Sequence, residues 1–436
     1  MRKAKIGVIS LGCDKNRVDT ENMLAYALRG GYELTSDETE ADVIIINTCA
    51  FIESSKREAI DTIFEYAAQK EERGYKIIVT GCLPERYKLA DEMPEVDAFL
   101  GVAEYSRITE ALDKVLKGGK ASFFTPCDLP TTDRVLTTPY HYAYLKIAEG
   151  CDNHCTYCAI PSIRGKFRSR TMESLVEEAK FLIGEYGVKE LNIVAQDITR
   201  YGIDLYGEYS LLKLLDKLSA LDIEWMRLLY CYPELLSDDL IKLIASNEKI
   251  CGYVDIPLQH ISDRVLKLMG RRATEAEIKR LIEKLKKEDI AIRSTFIVGF
   301  PSETEREFEE LCGFISEYRL NYAGFFAYSR EEGTAAARLK QQIPKHIKKR
   351  RESTVSELQS EIIYENNKDY IGRTLKVLYE GIDYDKNLFY GRPEFCAPEV
   401  DAKVLFTSSE LAEIGGFYDV IITGTDGYDL IGDVKC

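Results

Sequence analysis

Apolar, strand-like segments alternate with helical segments along most of this chain of 436 residues. The first part of the chain carries four of these strands, Lys5–Ser10, Asp42–Ile46, Lys76–Thr80 and Ala98–Val102. Strands that are apolar throughout and separated by helices belong to parallel sheets with both faces covered. We therefore expect residues 1–123 to form an open α/β domain with a parallel sheet.

Six more strand-like segments follow, each separated from the next by a helical pattern. They are Tyr142–Ala148, Glu190–Gln196, Trp225–Tyr230, Tyr253–Leu258, Ile292–Val298 and Tyr322–Tyr328. Repeated strand–helix units build a curved parallel sheet, and six units fall short of the eight that close a barrel. Residues 137–367 are therefore predicted to form an open (β/α)6 partial TIM barrel, with function at the carboxyl-end loops of its strands.

The last segment, residues 369–436, changes to short β-rich stretches broken by Gly, Asp and Pro. These stretches are Thr374–Tyr379, Leu388–Tyr390, Lys403–Phe406, Tyr418–Ile422 and Asp429–Ile431. They predict a small antiparallel β-barrel. The segment has six basic and thirteen acidic residues, a net charge of −7. Such a surface repels a nucleic-acid backbone, because phosphate binding requires cationic side chains, and it attracts a basic protein.

Three cysteines follow the first predicted barrel strand in a C-x3-C-x2-C run. We call Cys151, Cys155 and Cys158 the barrel cysteine set. Soft thiolates bind iron–sulfur clusters or zinc, and a structural zinc site needs four closed ligands. His154 is a poor fourth ligand because it directly precedes Cys155. The spacing favours a [4Fe–4S] cluster with one open iron; zinc and a chance group of structural cysteines are the alternatives.

Three further cysteines each follow one of the first three predicted strands. We call Cys13, Cys49 and Cys82 the N-terminal cysteine set. Ligands bind outside the carboxyl ends of the strands of open α/β sheets, and adjacent strands lie about 4.8 Å apart. Three equivalent strand ends therefore favour a second cluster with one open iron. The alternative is ordinary buried cysteine, a residue type common in protein interiors.

Composition narrows the cellular setting of the protein. No apolar run reaches the roughly 20 residues of a membrane helix, and the first residues form a poor signal peptide, so we expect a cytoplasmic protein. Twelve cysteines in a reducing compartment indicate metal binding or catalysis before disulfides. The net charge of −15 argues against a simple nucleic-acid-binding protein. Six cysteines without ligand spacing are interpreted as core or surface residues: Cys127, Cys231, Cys251, Cys312, Cys396 and Cys436.

The barrel cysteine run resembles the signature of radical S-adenosylmethionine enzymes. With three upstream cysteines on a Rossmann-like domain and a small C-terminal barrel of the TRAM type, the whole chain resembles the methylthiotransferase branch. Three motifs, Ser10–Asp19, Asn47–Ile52 and Cys158–Gly165, look most like the RimO type within it. That type methylthiolates an aspartate of small-subunit ribosomal protein twelve, whereas the sister MiaB type modifies adenosine in tRNA.

The resemblance implies two 4Fe-4S clusters, one held by each cysteine set. The barrel cluster would bind and cleave S-adenosyl-L-methionine, two molecules of which are used per turnover. The second cluster would carry the inserted sulfur, with sulfide or persulfide as an external donor. Family positions near S-adenosylmethionine correspond here to Tyr157, Gln196, Gly299 and Pro301.

Each of these cofactor positions has an ordinary structural alternative. Packing is the alternative for Tyr157, and a generic strand-to-helix turn is the alternative for Gly299 and Pro301. Ser302 stands where the family often has glycine. Asp197, beside Gln196, fits a surface turn equally well. No catalytic role is assigned to His260, although Gln259–His260 and Glu331–Thr334 resemble motifs that line the barrel mouth.

The resemblance implies radical methylthiolation of the β-carbon of an aspartate. The acidic third segment favours a basic ribosomal protein, alone or in the ribosome, as the docking partner, and argues against direct nucleic-acid binding. An electron donor such as flavodoxin or ferredoxin is implied. One alternative is a tRNA adenosine methylthiotransferase, for which the Lys345–Arg351 run offers the candidate basic surface; a solvated helix face is the other interpretation of that run. A non-catalytic electron carrier is the further alternative, and it leaves the six-unit barrel unexplained.

Overall fold

The computed structural model describes residues 2–125, 133–408 and 413–435. Cys127 and Cys436, two of the cysteines without ligand spacing, lie outside these ranges. The other four of that group are buried or half-buried. Within the described ranges, no helix combines the length and the apolar character needed to cross a bilayer.

The N-terminal domain is built on a six-stranded parallel sheet in the order β2-β1-β3-β4-β5-β6. Its strands are β1 (Lys5–Ser10), β2 (Glu33–Leu34), β3 (Val43–Thr48), β4 (Lys76–Gly81), β5 (Ala98–Leu100) and β6 (Ala121–Phe123). Its helices are α1 (Asp14–Arg29), α2 (Glu53–Arg73), α3 (Cys82–Tyr87) and α4 (Ile108–Leu116). The predicted parallel sheet is confirmed. The sequence analysis missed β2 and β6 because two or three residues are too few to show a pattern.

Both faces of this sheet are covered, as its continuous apolar strands require. Every residue of β3 is buried. Ile44 and Ile46 pack with Ile63 of α2 on one face. Val43 and Ile45, at the alternate positions, pack with Met23 of α1 on the other face. Because successive strand residues point to opposite faces, a sheet between two helical layers needs apolar residues at every position.

The central domain is an open sheet of six parallel strands in the order β14-β13-β12-β11-β10-β7. Its strands are β7 (Tyr142–Lys146), β10 (Glu190–Val194), β11 (Trp225–Leu228), β12 (Ile250–Gln259), β13 (Ala291–Val298) and β14 (Tyr322–Ala327). A short antiparallel pair, β8 (Ala148–Glu149) and β9 (Arg168–Ser169), brackets the loop with the barrel cysteine set. The predicted six-stranded partial barrel is confirmed.

Nine helices of the described residues follow or connect these strands. They are α5 (Ile160–Arg164), α6 (Met172–Tyr186), α7 (Ile203–Tyr206), α8 (Leu211–Ser219), α9 (Asp238–Ser246), α10 (Asp263–Leu268), α11 (Glu275–Lys287), α12 (Glu305–Tyr318) and α13 (Lys345–Lys368). Several start at a side-chain cap; Thr274 and Thr304 each form a reciprocal capping box with the glutamate three residues on. These capped helices therefore begin where a local side chain satisfies their first free N–H groups.

The C-terminal domain is a closed five-stranded barrel in the order β15-β16-β17-β19-β18. Its strands are β15 (Thr374–Asp383), β16 (Leu388–Pro393), β17 (Val404–Thr407), β18 (Phe417–Asp426) and β19 (Asp429–Val434). The predicted small barrel is confirmed, with one difference: β17 and β19 pair in parallel. Closure removes the exposed strand edges that a five-stranded open sheet would present.

The C-terminal domain also closes the amino-terminal end of the central sheet. Cys396 and Ala397, between β16 and β17, pack in one apolar cluster with Tyr144 and Tyr253 of the central strands. The Tyr253 hydroxyl donates to Asp401 at 2.9 Å. The segment between β16 and β17 thus forms a floor under the barrel, and the carboxyl ends of the strands face the N-terminal domain.

A buried charge network fixes this floor. Glu190 of β10 accepts hydrogen bonds from Arg227 at 2.7 Å and from Arg392 of β16 at 2.6 Å. Arg392 also donates to Glu380 of β15 at 2.8 Å. Glu190 is 0% exposed, so its charge is compensated by the two arginines alone. A buried pair of this kind tolerates loss of one partner poorly, because the other charge stays buried without compensation.

Replacing Glu190 with glutamine should lower the free energy of unfolding by about 3–5 kcal/mol, because Arg227 and Arg392 lose their compensating charge. The denaturant midpoint of the full chain measures this loss. The matched control is Glu208→Gln, which removes an exposed partner of Lys213 and should cost at most about 1 kcal/mol. Equal losses in the two variants would contradict the network's role.

Lowering the pH should reduce the difference in stability between wild type and Glu190→Gln. Burial alone raises the pKa of Glu190, but the charges of Arg227 and Arg392 outweigh it and hold the pKa at about 2, below its ordinary value of 4.5. A group whose pKa is lowered by folding stabilises the folded state above its unfolded pKa. This stabilisation is lost as the pH falls towards its folded pKa. The gap between the two denaturant midpoints should therefore shrink as pH falls from 4.5 towards 2. A constant gap would contradict the assignment.

Candidate active site

The N-terminal cysteine set gathers at one edge of the N-terminal sheet. Cys13 precedes α1 directly, and Cys82 is the first residue of α3. Cys49 follows β3, which lies between β1 and β4 in the sheet. A carbon added to Gly12 would lie 2.9 Å from Cβ of Cys49, so the tip of β1 touches that residue. The structure thus brings together the three strand ends that the sequence placed in equivalent positions.

One asparagine connects these strand ends. Nδ2 of Asn16 donates to the carbonyl oxygens of Leu11 at 3.3 Å and Thr48 at 3.0 Å. Its Oδ1 lies 3.8 Å from Sγ of Cys82 and 4.0 Å from Sγ of Cys13. Asn16 is 1% exposed. It therefore fixes the spacing of the strand tips that carry the thiols.

The barrel cysteine set lies on the loop between β8 and α5. Backbone N–H groups donate to two of its sulfurs: Asn153 to Cys151 and Ile160 to Cys158, both at 3.4 Å. The third sulfur, of Cys155, lies 3.1 Å from the hydroxyl of Tyr232. These contacts hold the three sulfurs in one loop region. The neighbouring His154 is exposed, which agrees with its rejection as a fourth ligand.

The surroundings of both sets suit iron–sulfur ligation. Burial, together with nearby thiols of the same set, raises the pKa of Cys82 and of Cys158 to about 12. Such thiols stay neutral without a cation, and a metal cluster supplies the charge that keeps them deprotonated. Four of the six sulfur residues are only partly buried, which leaves access to the open side. The all-sulfur donor sets fit clusters.

Within the described ranges, no group of three or more His, Cys, Asp or Glu side chains is arranged to hold a metal ion. A tetrahedral zinc site draws its ligands to about 2.0–2.3 Å from one ion. A cubane instead binds each cysteine through a different iron, so its ligands stand farther apart. Assignment of the six cysteines as cluster ligands accordingly remains a prediction.

The side chain of Gln196 has the unpaired polar atoms expected of a residue that contacts a cofactor. This residue follows β10, and both atoms of its side-chain amide are buried without a hydrogen-bond partner in the described structure. Its neighbour Asp197 is 0% exposed, so the surface-turn interpretation of Asp197 is wrong. Asp197 accepts a hydrogen bond from Asn153 of the cysteine loop at 2.9 Å. A buried free amide, next in the chain to a residue that contacts the cysteine loop, fits a polar ligand such as the methionine end of S-adenosylmethionine.

Gly299 and Pro301 are buried, and Tyr157 is partly exposed. Tyr157 is half-buried and packs against an apolar cluster that includes Phe300 and Tyr328. Gly299 has φ +71°, and a carbon added to it would lie 2.3 Å from Cγ of Lys348. The aliphatic stem of Lys348, in α13, therefore lies directly on Gly299. Contacts of these residues with the cofactor stay predictions.

Ser302 has a backbone conformation that explains the preference for glycine at its position. Ser302, where the family often has glycine, adopts φ +66°. Few residues other than glycine adopt this left-handed conformation, so the position favours glycine for steric reasons.

His260 is fully buried, and burial lowers its pKa to about 3. Its Nδ1 accepts from the backbone N–H of Ser262 at 3.0 Å, a structural contact that agrees with assigning it no catalytic role.

Sequence analysis missed four buried charged residues between the two cysteine sets. We call Asp19, Lys146, Glu149 and Arg164 the central ion network. Lys146 donates to Glu149 at 2.8 Å and also to Asp19. Arg164 donates to Glu149 at 2.9 Å and to Asp19 at 3.2 Å. All four are at most 8% exposed in their side chains, and two positive charges balance two negative ones.

The network connects three segments that carry cysteines. Asp19 lies on α1, six residues after Cys13. Glu149 lies two residues before Cys151, and Arg164 ends α5, six residues after Cys158. The available sequence signal was Lys146 and Glu149 at the end of an otherwise apolar strand, since unpaired charges are not buried there. Their partners come from elsewhere in the chain, so periodicity does not reveal them.

Three family models match successive parts of the chain. Residues 5–101 match an uncharacterized protein family, UPF0004. Residues 145–315 match the radical SAM superfamily, and residues 371–434 match the TRAM domain. The order of the three matches follows the order of the three domains in the fold.

Curated relatives match the chain from end to end. A protein of Lachnoclostridium phytofermentans, named ribosomal protein uS12 methylthiotransferase RimO, is 50% identical over 440 residues, covering 99% of this chain and 100% of the relative. The protein of the same name from Acetivibrio thermocellus is 47% identical over 447 residues, covering 99% and 98%. This chain belongs to the RimO family of radical SAM methylthiotransferases. As a RimO-family enzyme it uses an iron–sulfur cluster and S-adenosylmethionine.

Solved structures share the fold of the RimO-family chain at low sequence identity. The radical S-adenosylmethionine methyltransferase TsrM of Kitasatospora setae has a TM-score of 0.57 and 13% identity, covering 77% of each chain. The cobalamin-dependent radical enzyme OxsB has a TM-score of 0.51 and 12% identity, covering 77% of this chain and 54% of that chain. At these identities the likeness concerns the fold alone.

Gly270→Ala should distort the loop of the barrel cysteine set. Gly270 has φ +74°, and an added Cβ would lie 2.6 Å from the carbonyl oxygen of His154. We expect this variant to bind fewer irons than wild type after anaerobic reconstitution and to unfold at a lower temperature. The matched control, Gly187→Ala, has the same left-handed strain at φ +70° with no atom within 4 Å of the added carbon. It should lose about 1–2 kcal/mol of stability and keep wild-type iron content. Equal iron content in both variants would contradict the prediction.

Proposed function

We propose that this enzyme attaches a methylthio group to the β-carbon of an aspartate in ribosomal protein uS12, in the cytoplasm. The observation that carries the proposal is the end-to-end match to RimO proteins in a chain that holds two separate cysteine triples on either side of the central ion network. An aliphatic C–H bond has no acidic proton for a general base. Radical chemistry removes that requirement.

Each cysteine set is proposed to hold one [4Fe–4S] cluster and to leave one iron open. When bound, the clusters and two molecules of S-adenosylmethionine supply a 5′-deoxyadenosyl radical, a methyl group and sulfur, the last replenished by sulfide or persulfide. Gln196 would orient S-adenosylmethionine through its free amide. A protein donor such as flavodoxin or ferredoxin would deliver the electrons.

The chain's own part is to position groups and to exclude water. The carboxyl ends of the central strands face the N-terminal domain, and the pairs of Arg164 with Asp19 and Glu149 connect the segments that carry the two cysteine sets. Glu331 strengthens this closure: it accepts from the backbone N–H of Glu53 at 2.9 Å and from Arg86 at 3.0 Å. A covered cavity protects a reactive radical from side reactions with solvent.

The acidic C-terminal domain is proposed to dock the basic substrate protein. Asp385, Asp419 and Asp433 are exposed, and no ion pair involves them among the described residues. Their charges are therefore available to a basic partner, with an attraction that salt screens over about 8–10 Å.

Neutralising this surface should weaken substrate binding without impairing chemistry. The triple variant Asp385→Asn, Asp419→Asn and Asp433→Asn should raise KM for ribosomal protein uS12 several-fold, flatten its salt dependence and leave kcat unchanged. The matched control converts Asp216, Asp222 and Asp289 of the central domain to Asn; these three are also exposed, with no ion pair among the described residues. A KM increase of the same size in the control would show that overall charge, rather than the C-terminal domain, sets affinity.

The structure weakens the case for a tRNA substrate. The basic run Lys345–Arg351 begins α13, and much of its charge is engaged within the protein. Lys348 donates to the Tyr328 carbonyl at 2.7 Å, and Arg350 pairs with Glu305 at 2.9 Å. Arg351 is 4% exposed. The interpretation of the whole run as a solvated face is therefore wrong for Arg351, and two of its exposed cations, Lys349 and Arg350, are paired with glutamates.

Mass spectrometry distinguishes the candidate substrates. Reconstituted enzyme with S-adenosylmethionine, sulfide and dithionite should add one methylthio group to uS12, in free protein or ribosomes, and leave tRNA unmodified. It should bind about eight irons per chain, and alanine at all three positions of either cysteine set should leave about four. Modification of tRNA alone would support the MiaB-type alternative. Absence of 5′-deoxyadenosine after reduction would support the electron carrier.

A further inference from the structure

Arg164 is the member of the central ion network that reaches the N-terminal cysteine set. Its Nη2 lies 3.7 Å from Sγ of Cys82 and donates to Oδ1 of Asn16, the atom that also borders Cys13. Its Nη1 points the other way, donating to Glu149 at 2.9 Å. One planar guanidinium thus spans the gap between a thiol and a carboxylate.

This geometry gives the arginine a second task beside ion pairing. It is 3% exposed, so water does not screen its charge from the sulfur. Arginine is never deprotonated in proteins and presents its N–H groups in a fixed fork. Lysine at this position would carry the charge without reaching both partners at once.

We propose that Arg164 is a positioning residue of the N-terminal cluster, holding Cys82 and raising the reduction potential of that cluster. The inference rests on the proposed function, which places a [4Fe–4S] cluster on Cys13, Cys49 and Cys82. One-electron reduction adds a negative charge to a cluster. A buried positive charge and a hydrogen bond towards a ligand sulfur both favour the reduced form.

The experiment isolates the N-terminal cluster in full-length protein by alanine substitution of Cys151, Cys155 and Cys158. Its potential is measured by redox titration with dithionite, followed by electron paramagnetic resonance. Arg164→Gln should make reduction at least tenfold less favourable, a shift of about 59 mV to more negative potential for a one-electron couple. Arg164→Lys should fall between wild type and Arg164→Gln.

Asp19→Asn separates the charge effect from damage to the network. Asp19 pairs with Arg164 and Lys146 and touches neither cysteine set in the described structure. Loss of its negative charge should leave the potential unchanged or move it to a more positive value. A merely structural network predicts the same shift in Asp19→Asn as in Arg164→Gln. Should Arg164→Gln fail to fold, a more negative potential in Asp19→Asn would overturn the proposal by itself.

The outcomes also separate this inference from the proposed function. The reference protein has alanine at the three barrel cysteines and keeps Arg164. If it binds no iron, the second cluster and the proposed function fail. If it binds about four irons and Arg164→Gln leaves the potential unchanged, only the inference fails. A negative shift in Arg164→Gln, without one in Asp19→Asn, supports it.

Discussion

The central ion network is the constraint on which the site depends. Lys146 and Glu149 come from the barrel, Asp19 from the N-terminal domain, and Arg164 from the helix after the barrel cysteines. Burial alone raises the pKa of Glu149, but the neighbouring charges of Arg164 and Lys146 outweigh it and keep the pKa far below its usual range. Such charges are tolerated in an interior only when all are present and correctly placed. The requirement for mutual compensation therefore fixes how the two domains meet.

The contact between the N-terminal and central domains determines how the two cysteine sets lie relative to each other. Each set alone is a local feature: strand tips in one domain, a single loop in the other. Arg164 of the neutral network lies 3.7 Å from the sulfur of Cys82, and its partner Glu149 precedes Cys151 closely in the chain, so the network links the two sets. Under the proposed function, a radical generated at one set and sulfur delivered from the other would act on one substrate side chain. A second network around Glu190 secures the floor in the same way.

The sequence predicted the features whose signals are local. Continuous apolar strands gave the two parallel sheets, because a sheet covered on both faces needs apolar residues throughout. Cysteine spacing pointed to the barrel centre, and the position of each cysteine of the N-terminal set, at or just after a strand end, pointed to the other centre. Periodicity did not reveal β2 or β6, which are too short, nor the parallel pairing of β17 with β19, which depends on barrel closure.

Long-range polar contacts were beyond sequence reasoning. Asn16 joins strand tips through carbonyl groups that any residue could supply. Arg164 finds Asp19 across 145 positions of the chain. Asp197 looked as much like a surface turn as a site residue, and its complete burial and its contact with Asn153 show that it is interior. These residues are defined by three-dimensional partners rather than by their neighbours in the chain.

The central claim is that two clusters face each other across the ion network. Electron paramagnetic resonance of the fully reduced protein tests it most directly. Magnetic interaction should make the wild-type spectrum differ from the sum of spectra of the two variants that each retain one cysteine set. A wild-type spectrum equal to that sum would place the two centres too far apart to act on one substrate, and would contradict the account.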